Sequence, residues 1–304
     1  YIGGNGKIVA ASSLNYALGS GTYIDEIHGL DLLDTSNVAN MAYMFSGCGK
    51  YSKVFTLDLG DNFDTTNVTN MRSMFQFCGA ENENFTLDLG DKFDTSKVTD
   101  MSWMFQYCGA GNKTFTLDLG DRFDTSKVKD MSHMFYYCGQ NSETFTLDLS
   151  AYNFDTSNVT SMRDMFAGCG ASNENFTLNF GERFDTSKVT DMAEMFLGCG
   201  KSSKKFTELD LSGFTVSISN SKNLTDFASG IPVTSFIFGE GWANAVLPTW
   251  KMFTASSTTA TSVTGATPNL IRYKWSSDKR TVTFPDKKYY TITPEATEGG
   301  TVWN

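Results

Sequence analysis

Six cysteines are the side chains best equipped for chemistry in this chain, and their spacing decides which chemistry is open to them. Cys48, Cys78, Cys108, Cys138, Cys169 and Cys199 stand 30, 30, 30, 31 and 30 residues apart. No CxxC pair occurs, so the spacing of a metal site is absent. Holding one position of a repeat, the six are expected to stack on one another as small buried apolar residues with free thiols. The alternative is three disulfides between neighbours, which needs Cα separations of about 4.4–6.8 Å and Cβ atoms turned toward each other.

The remaining candidates point away from catalysis. His28 and His133 are the only histidines, and no nucleophile stands with a recognisable base and orienting group. The glycines fall at turns rather than in a phosphate-cradling loop. Asp58, Asp61 and Asp64 recur every third residue, as do Asp88/Asp91/Asp94 and Asp118/Asp121/Asp124, a set of oxygens that offers calcium ligation. Asp94 already has work as a turn and cap residue, and later repeats lose the triplet. The expectation is therefore a protein that is not an enzyme, with no cofactor and no metal.

The elements that position these residues come from one unit, Phe85 to Gly109, FTLDLGDKFDTSKVTDMSWMFQYCG. Phe85, Leu87 and Leu89 alternate with Thr86 and Asp88, which predicts a half-buried strand. Asp94-Thr95-Ser96 supplies helix-start chemistry, Val98, Met101, Met104, Phe105 and Cys108 fit one helical stripe, and Gly109 is a helix stop. Stacked units bury both apolar faces. The expected fold class is therefore α/β, a leucine-rich-repeat-type solenoid with a parallel sheet on one face and helices on the other, plus a small C-terminal β segment.

Three regions follow. Residues 1–22, with helical spacing over Ile8–Leu18, are expected to cap the array. Residues 23–254 form the repeats, ending in a last strand at Val233–Phe238 and a cap over Gly239–Phe253 that holds Trp242 and Trp250. Residues 255–304 are a linker rich in Ser and Thr, then either a small β unit, with runs at Ile271–Trp275, Thr281–Phe284 and Lys288–Ile292, or the start of a following module. The one extra residue behind the 31-residue spacing is expected in the turn near Ala151–Asn153. The chain begins with Tyr1 and breaks off in mid-pattern at its end, so it reads as a piece of something longer.

Comparing repeats with one another separates structural from variable positions. The Trp103 column reads Tyr43, Ser73, Trp103, His133, Asp164, Glu194, and the Tyr107 column reads Gly47, Phe77, Tyr107, Tyr137, Gly168, Gly198. On a helix these positions face solvent together. Phe77, Trp103, Tyr107, His133, Tyr136 and Tyr137 then form an exposed aromatic patch suited to a protein or a sugar face, unless the rings pack on their neighbours. The strand face offers a second surface, with Thr86 and Thr116 beside Asp58, Asp88, Asp118 and Asp148, an acidic ladder suited to a cationic protein partner or simply solvated.

The net charge of −10 over 304 residues argues against a nucleic-acid backbone as partner, and no apolar run of about 18 residues is present to enter a membrane. The run LDLG-FDTSKVTDM-MF-CG, carried by Asp94-Thr95-Ser96, Val98, Met101, Met104, Phe105 and Cys108, closely resembles the BspA-type leucine-rich repeat of bacterial surface proteins. Resemblance covers Leu30 to about Trp250, with units of 30 residues rather than the shorter common form. It implies an extracellular protein displayed on a bacterial cell and contributing to adhesion. The function expected is noncovalent recognition of an extracellular protein or glycan; the rival is a stalk that binds nothing itself. Oligomeric state is not legible.

Overall fold

The computed structural model describes residues 8–60, 62–216, 224–233, 235–238 and 241, and the backbone of three further strands between 262 and 292. Through the described repeats, each coil lies parallel to the next at a separation of about thirty residues. Isolated bridges run Ser13–Asn40, Asn40–Asn70, Asn70–Asp100, Asp100–Asp130, Asp130–Ser161 and Ser161–Asp191.

Strand structure is short. β1 (Ile8–Val9) pairs with β2 (Leu33–Asp34), β3 (Val54–Asp58) with β4 (Asn84–Asp88), and β5 (Leu147–Asp148) with β6 (Leu178–Asn179), all parallel. In β3 and β4 Phe55 lies opposite Phe85 and Asp58 opposite Asp88, with the alternating burial expected of a half-buried strand. Residues 115–120 belong to no strand. β7 (Glu208–Leu211), β8 (Ser235–Phe238), β9 (Ser262–Gly265) and β10 (Arg280–Thr283) continue in parallel, and β11 (Tyr289–Ile292) closes the sheet antiparallel to β10. The strand at 235–238 is thus not the last, because a segment of the Ser- and Thr-rich stretch pairs with it. Asp61, Ile271–Trp275 and, except for Gly241, the expected cap over Gly239–Phe253 with Trp242 and Trp250 lie outside the described residues.

The expected helices are overturned, and with them the α/β solenoid with a helical face. Among the described residues there is no α-helix, and a 3-10 turn stands at Leu30–Leu32. Where a helix was expected after Val98, alternate amides take different partners. Met101, Trp103, Phe105 and Tyr107 donate to carbonyls of the next coil, at Asp130, Ser132, Met134 and Tyr136, over 2.8–3.0 Å. Met104, Gln106, Cys108 and Ala110 donate three residues back within their own coil. From Met101 to Ala110 every amide has a partner, and half of them find it in a neighbouring coil. A helix also requires negative φ throughout, whereas Trp103 (64°), Tyr107 (54°) and Gly109 (58°) are left-handed and turn the chain aside. Residues 8–20 follow the same rule in place of the expected helix, with Leu14, Tyr16, Leu18 and Ser20 donating to Asn40, Ala42, Met44 and Ser46.

The inward set is the one the spacing identified. Val98, Met101, Met104, Phe105 and Cys108 are fully buried, as are their counterparts. Phenylalanine ladders run through the core: Phe45, Phe75, Phe105, Phe135, Phe166 and Phe196 stack at centroid separations of 5.5–5.8 Å, and Phe55, Phe85, Phe115 and Phe145 at 5.6–5.7 Å. All six cysteines are free and buried. Burial holds every thiol proton tightly, raising Cys48 to about 12 and the other five well above their ordinary value.

Asp94-Thr95-Ser96 does its capping work without a helix. The Asp94 carboxylate accepts the Ser96 amide, and Asp34, Asp64, Asp124, Asp155 and Asp185 repeat this at 2.7–3.1 Å. The threonine between them is buried and joins coils. Thr95 Oγ1 donates to the Asp124 carbonyl (2.8 Å) and accepts the Asp124 amide (2.7 Å); Thr35, Thr65 and Thr156 do the same.

Candidate functional site

The turn face carries two columns of left-handed residues, four positions apart in each coil. Column A holds Tyr43, Ser73, Trp103, His133, Asp164, Glu194 and Asp226; column B holds Gly47, Phe77, Tyr107, Tyr137, Gly168, Gly198 and Gly230, with φ between 51° and 75° at all fourteen. The left-handed region costs a residue bearing Cβ about 1–2 kcal/mol. Glycine is the low-cost occupant, and column B uses it in four coils. In three adjacent coils it uses Phe77, Tyr107 and Tyr137 instead.

These rings are half-buried rather than fully exposed, because they stack coil on coil. Phe77 and Tyr107 lie 5.1 Å apart, as do Tyr107 and Tyr137, with planes within 11°. Trp103 stacks on His133 at 3.7 Å. Tyr136 stands edge-on to Tyr107 (5.6 Å) and Tyr137 (4.7 Å). The far face of Tyr137 covers Gly168, where a Cβ would meet the ring at 2.6 Å, and the Lys50 ammonium sits 5.0 Å from the Phe77 centroid. The structure therefore brings together all six aromatic candidates, in a ledge where the faces of Phe77, Tyr107 and Tyr137 are largely covered. Burial, reinforced by Tyr107 and Tyr137, pushes the Tyr136 phenol up to about 12.

Column A leads from this ledge into charge, a feature that reading the variable positions singly did not bring out. His133 Nε2 is 3.2 Å from the buried Asp164 carboxylate. Arg163 reaches Asp164 (3.4 Å), Asp191 (3.7 Å) and Glu194 (3.1 Å). Partial burial and the Asp164 charge raise the Glu194 carboxyl.

On the sheet side Thr86, Thr116, Asp58, Asp88, Asp118 and Asp148 are exposed. Each aspartate accepts the amide two residues on, at Gly60, Gly90, Gly120 and Ser150, over 2.8–2.9 Å. The carboxylates of the Asp88/Asp91/Asp94 triplet are divided, Asp88 serving Gly90 and Asp94 serving Ser96. The extra residue near Ala151–Asn153 has a use: Tyr152 Oη donates to Asp118 (3.2 Å) and accepts the Leu119 amide (3.2 Å), where residues 115–120 lack a strand partner. Beside β3, a cavity of about 380 Å³ is lined by Glu26, His28, Asp31, Thr56 and Asp58, with His28 paired to Glu26 at 2.7 Å.

The family model described as Mycoplasma protein of unknown function, DUF285, matches the chain three times, over residues 20–146, 51–180 and 109–231. Overlapping, shifted matches are what a repeat family produces, since the same unit recurs along the chain. Comparison with curated proteins and with solved structures gave no match.

Proposed function

With matches that together run from residue 20 to 231, the chain belongs to this family of repeat proteins, and we propose that it is a non-enzymatic recognition module of a bacterial surface protein, binding a host or microbial protein or glycan. One observation carries the reading: Phe77, Tyr107 and Tyr137 occupy left-handed positions that other coils give to glycine. Stacking contributes about 0.5–1.5 kcal/mol per aromatic pair, roughly what the backbone conformation costs. The ring area buried adds to this, so the rings are held there without net loss of stability, and binding surfaces favour such side chains. The likeness of the FDTS-VT-M--MF--C signature to BspA-type repeats supports display on the cell surface and a part in adhesion.

The test is a screen of the purified chain against immobilised extracellular-matrix proteins and glycans, with and without calcium. Saturable binding to a member of the panel is expected. A folded chain that binds none of them would favour the stalk reading.

A further inference from the structure

We propose that the turn face, from the aromatic ledge to the carboxylates of column A, is a docking surface for a protein segment bearing a basic side chain. The proposal deepens the recognition reading and rests on it. Two observations select this partner.

The first is which part of each ring is left over. Sugars stack on ring faces, but Tyr107 has Phe77 on one face and Tyr137 on the other, Tyr137 has Gly168 beyond it, and Phe77 has the Lys50 ammonium. What remains accessible on these half-buried rings is edges and phenol oxygens. Edges carry the positive part of the aromatic quadrupole and phenols form hydrogen bonds, so the ledge suits the carbonyls and amides of a polypeptide.

The second is charge. Asp164, Asp191 and Glu194 share one guanidinium, that of Arg163, with His133 beside Asp164. Asp164 is buried, while the Asp191 and Glu194 side chains keep 30% and 31% of their exposure and can be reached from outside. Three carboxylates against one arginine leave a local negative excess in register with the ledge, and an incoming guanidinium or ammonium complements it. The sheet-side aspartates are also acidic, but no stack of aromatic rings runs beside Asp58, Asp88, Asp118 and Asp148, and Tyr152 reaches Asp118 singly through its hydroxyl.

The probes are a heptapeptide of alternating glycine and arginine, the same peptide with citrulline for arginine, and the neutral sugar cellohexaose, each titrated into the chain by calorimetry. The arginine peptide is expected to bind, with citrulline weakening it about tenfold or more. Glu194→Gln and Tyr136→Ala are each expected to weaken binding about tenfold. Alanine is tolerated at that position in the next coil, as Ala167, and Tyr136→Phe keeps the ring should the alanine variant melt early. Asp118→Asn and Asp148→Asn should leave affinity unchanged, and Asn179 shows that asparagine fits that column while accepting the same turn amide. Equal weakening by the sheet-side variants, preference for cellohexaose, or no binding of the arginine peptide would each overturn the proposal. Binding to the matrix and glycan panel that survives those results would leave the recognition reading standing; a silent panel would remove both.

Discussion

Single residues in this chain carry tasks that their type alone does not announce. Thr95 bridges two coils through one buried hydroxyl. Thr95→Val should therefore strand a buried amide and carbonyl and cost about 1–3 kcal/mol, while Thr95→Ser should cost less; urea unfolding checks both. Glycines divide by what surrounds them. At Gly198 (φ 65°) a Cβ meets nothing within 4 Å, whereas at Gly109 (φ 58°) it meets the Phe115 ring at 2.5 Å. Both alanine variants bear the left-handed cost of about 1–2 kcal/mol, and Gly109→Ala should lose about 1–3 kcal/mol more by overpacking. The cysteines make a pH prediction. Their folded pKa values lie above the ordinary value of 9.0, so the unfolded chain releases protons first as pH rises. The stabilising contribution is complete below about pH 9 and falls by about 1.4 kcal/mol per pH unit for each thiol still protonated in the fold. Alkaline melts should show a steep loss between pH 9 and 12, softened in Cys108→Ala.

At the scale of the element, the same inward positions served two backbones. Spacings of three and four placed Val98, Met101, Met104, Phe105 and Cys108 inside correctly, because a chain that bends every few residues presents one side at the same intervals as a helix. What the spacing did not reveal was the direction of the hydrogen bonds. That depends on the left-handed residues, and Trp103 and Tyr107 are poor advertisements for positive φ, since only glycine is expected there routinely. Gly47, Gly168 and Gly198 in the Tyr107 column were the available signal. The aspartates were legible as turn residues, though they cap turns rather than helices. Far-UV circular dichroism should accordingly lack the paired minima of a helical protein; a spectrum dominated by them would contradict the stacked-turn coil.

The molecule as a whole behaves as a column built by addition, because each coil is bonded mainly to the coils on either side of it. Deleting residues 109–138 joins Cys108 to Gly139 in register, and the product should fold with five thiols that react only after denaturation. Deleting 109–123 alone brings the segment of one half-coil against the wrong half of the next, and should leave thiols reactive without denaturant. The aromatic ledge was legible as a cluster in sequence; its half-buried stacking and its continuation into Asp164 and Glu194 were not, since both require knowing which residues of neighbouring coils touch. The central claim is that this turn face recognises a macromolecule, and the most direct measurement compares the chain with its Tyr136→Ala/Glu194→Gln variant on the matrix-protein and glycan panel at matched melting temperature. Binding by the former and its loss in the latter is the result predicted. Equal binding by both, or by neither, would contradict it.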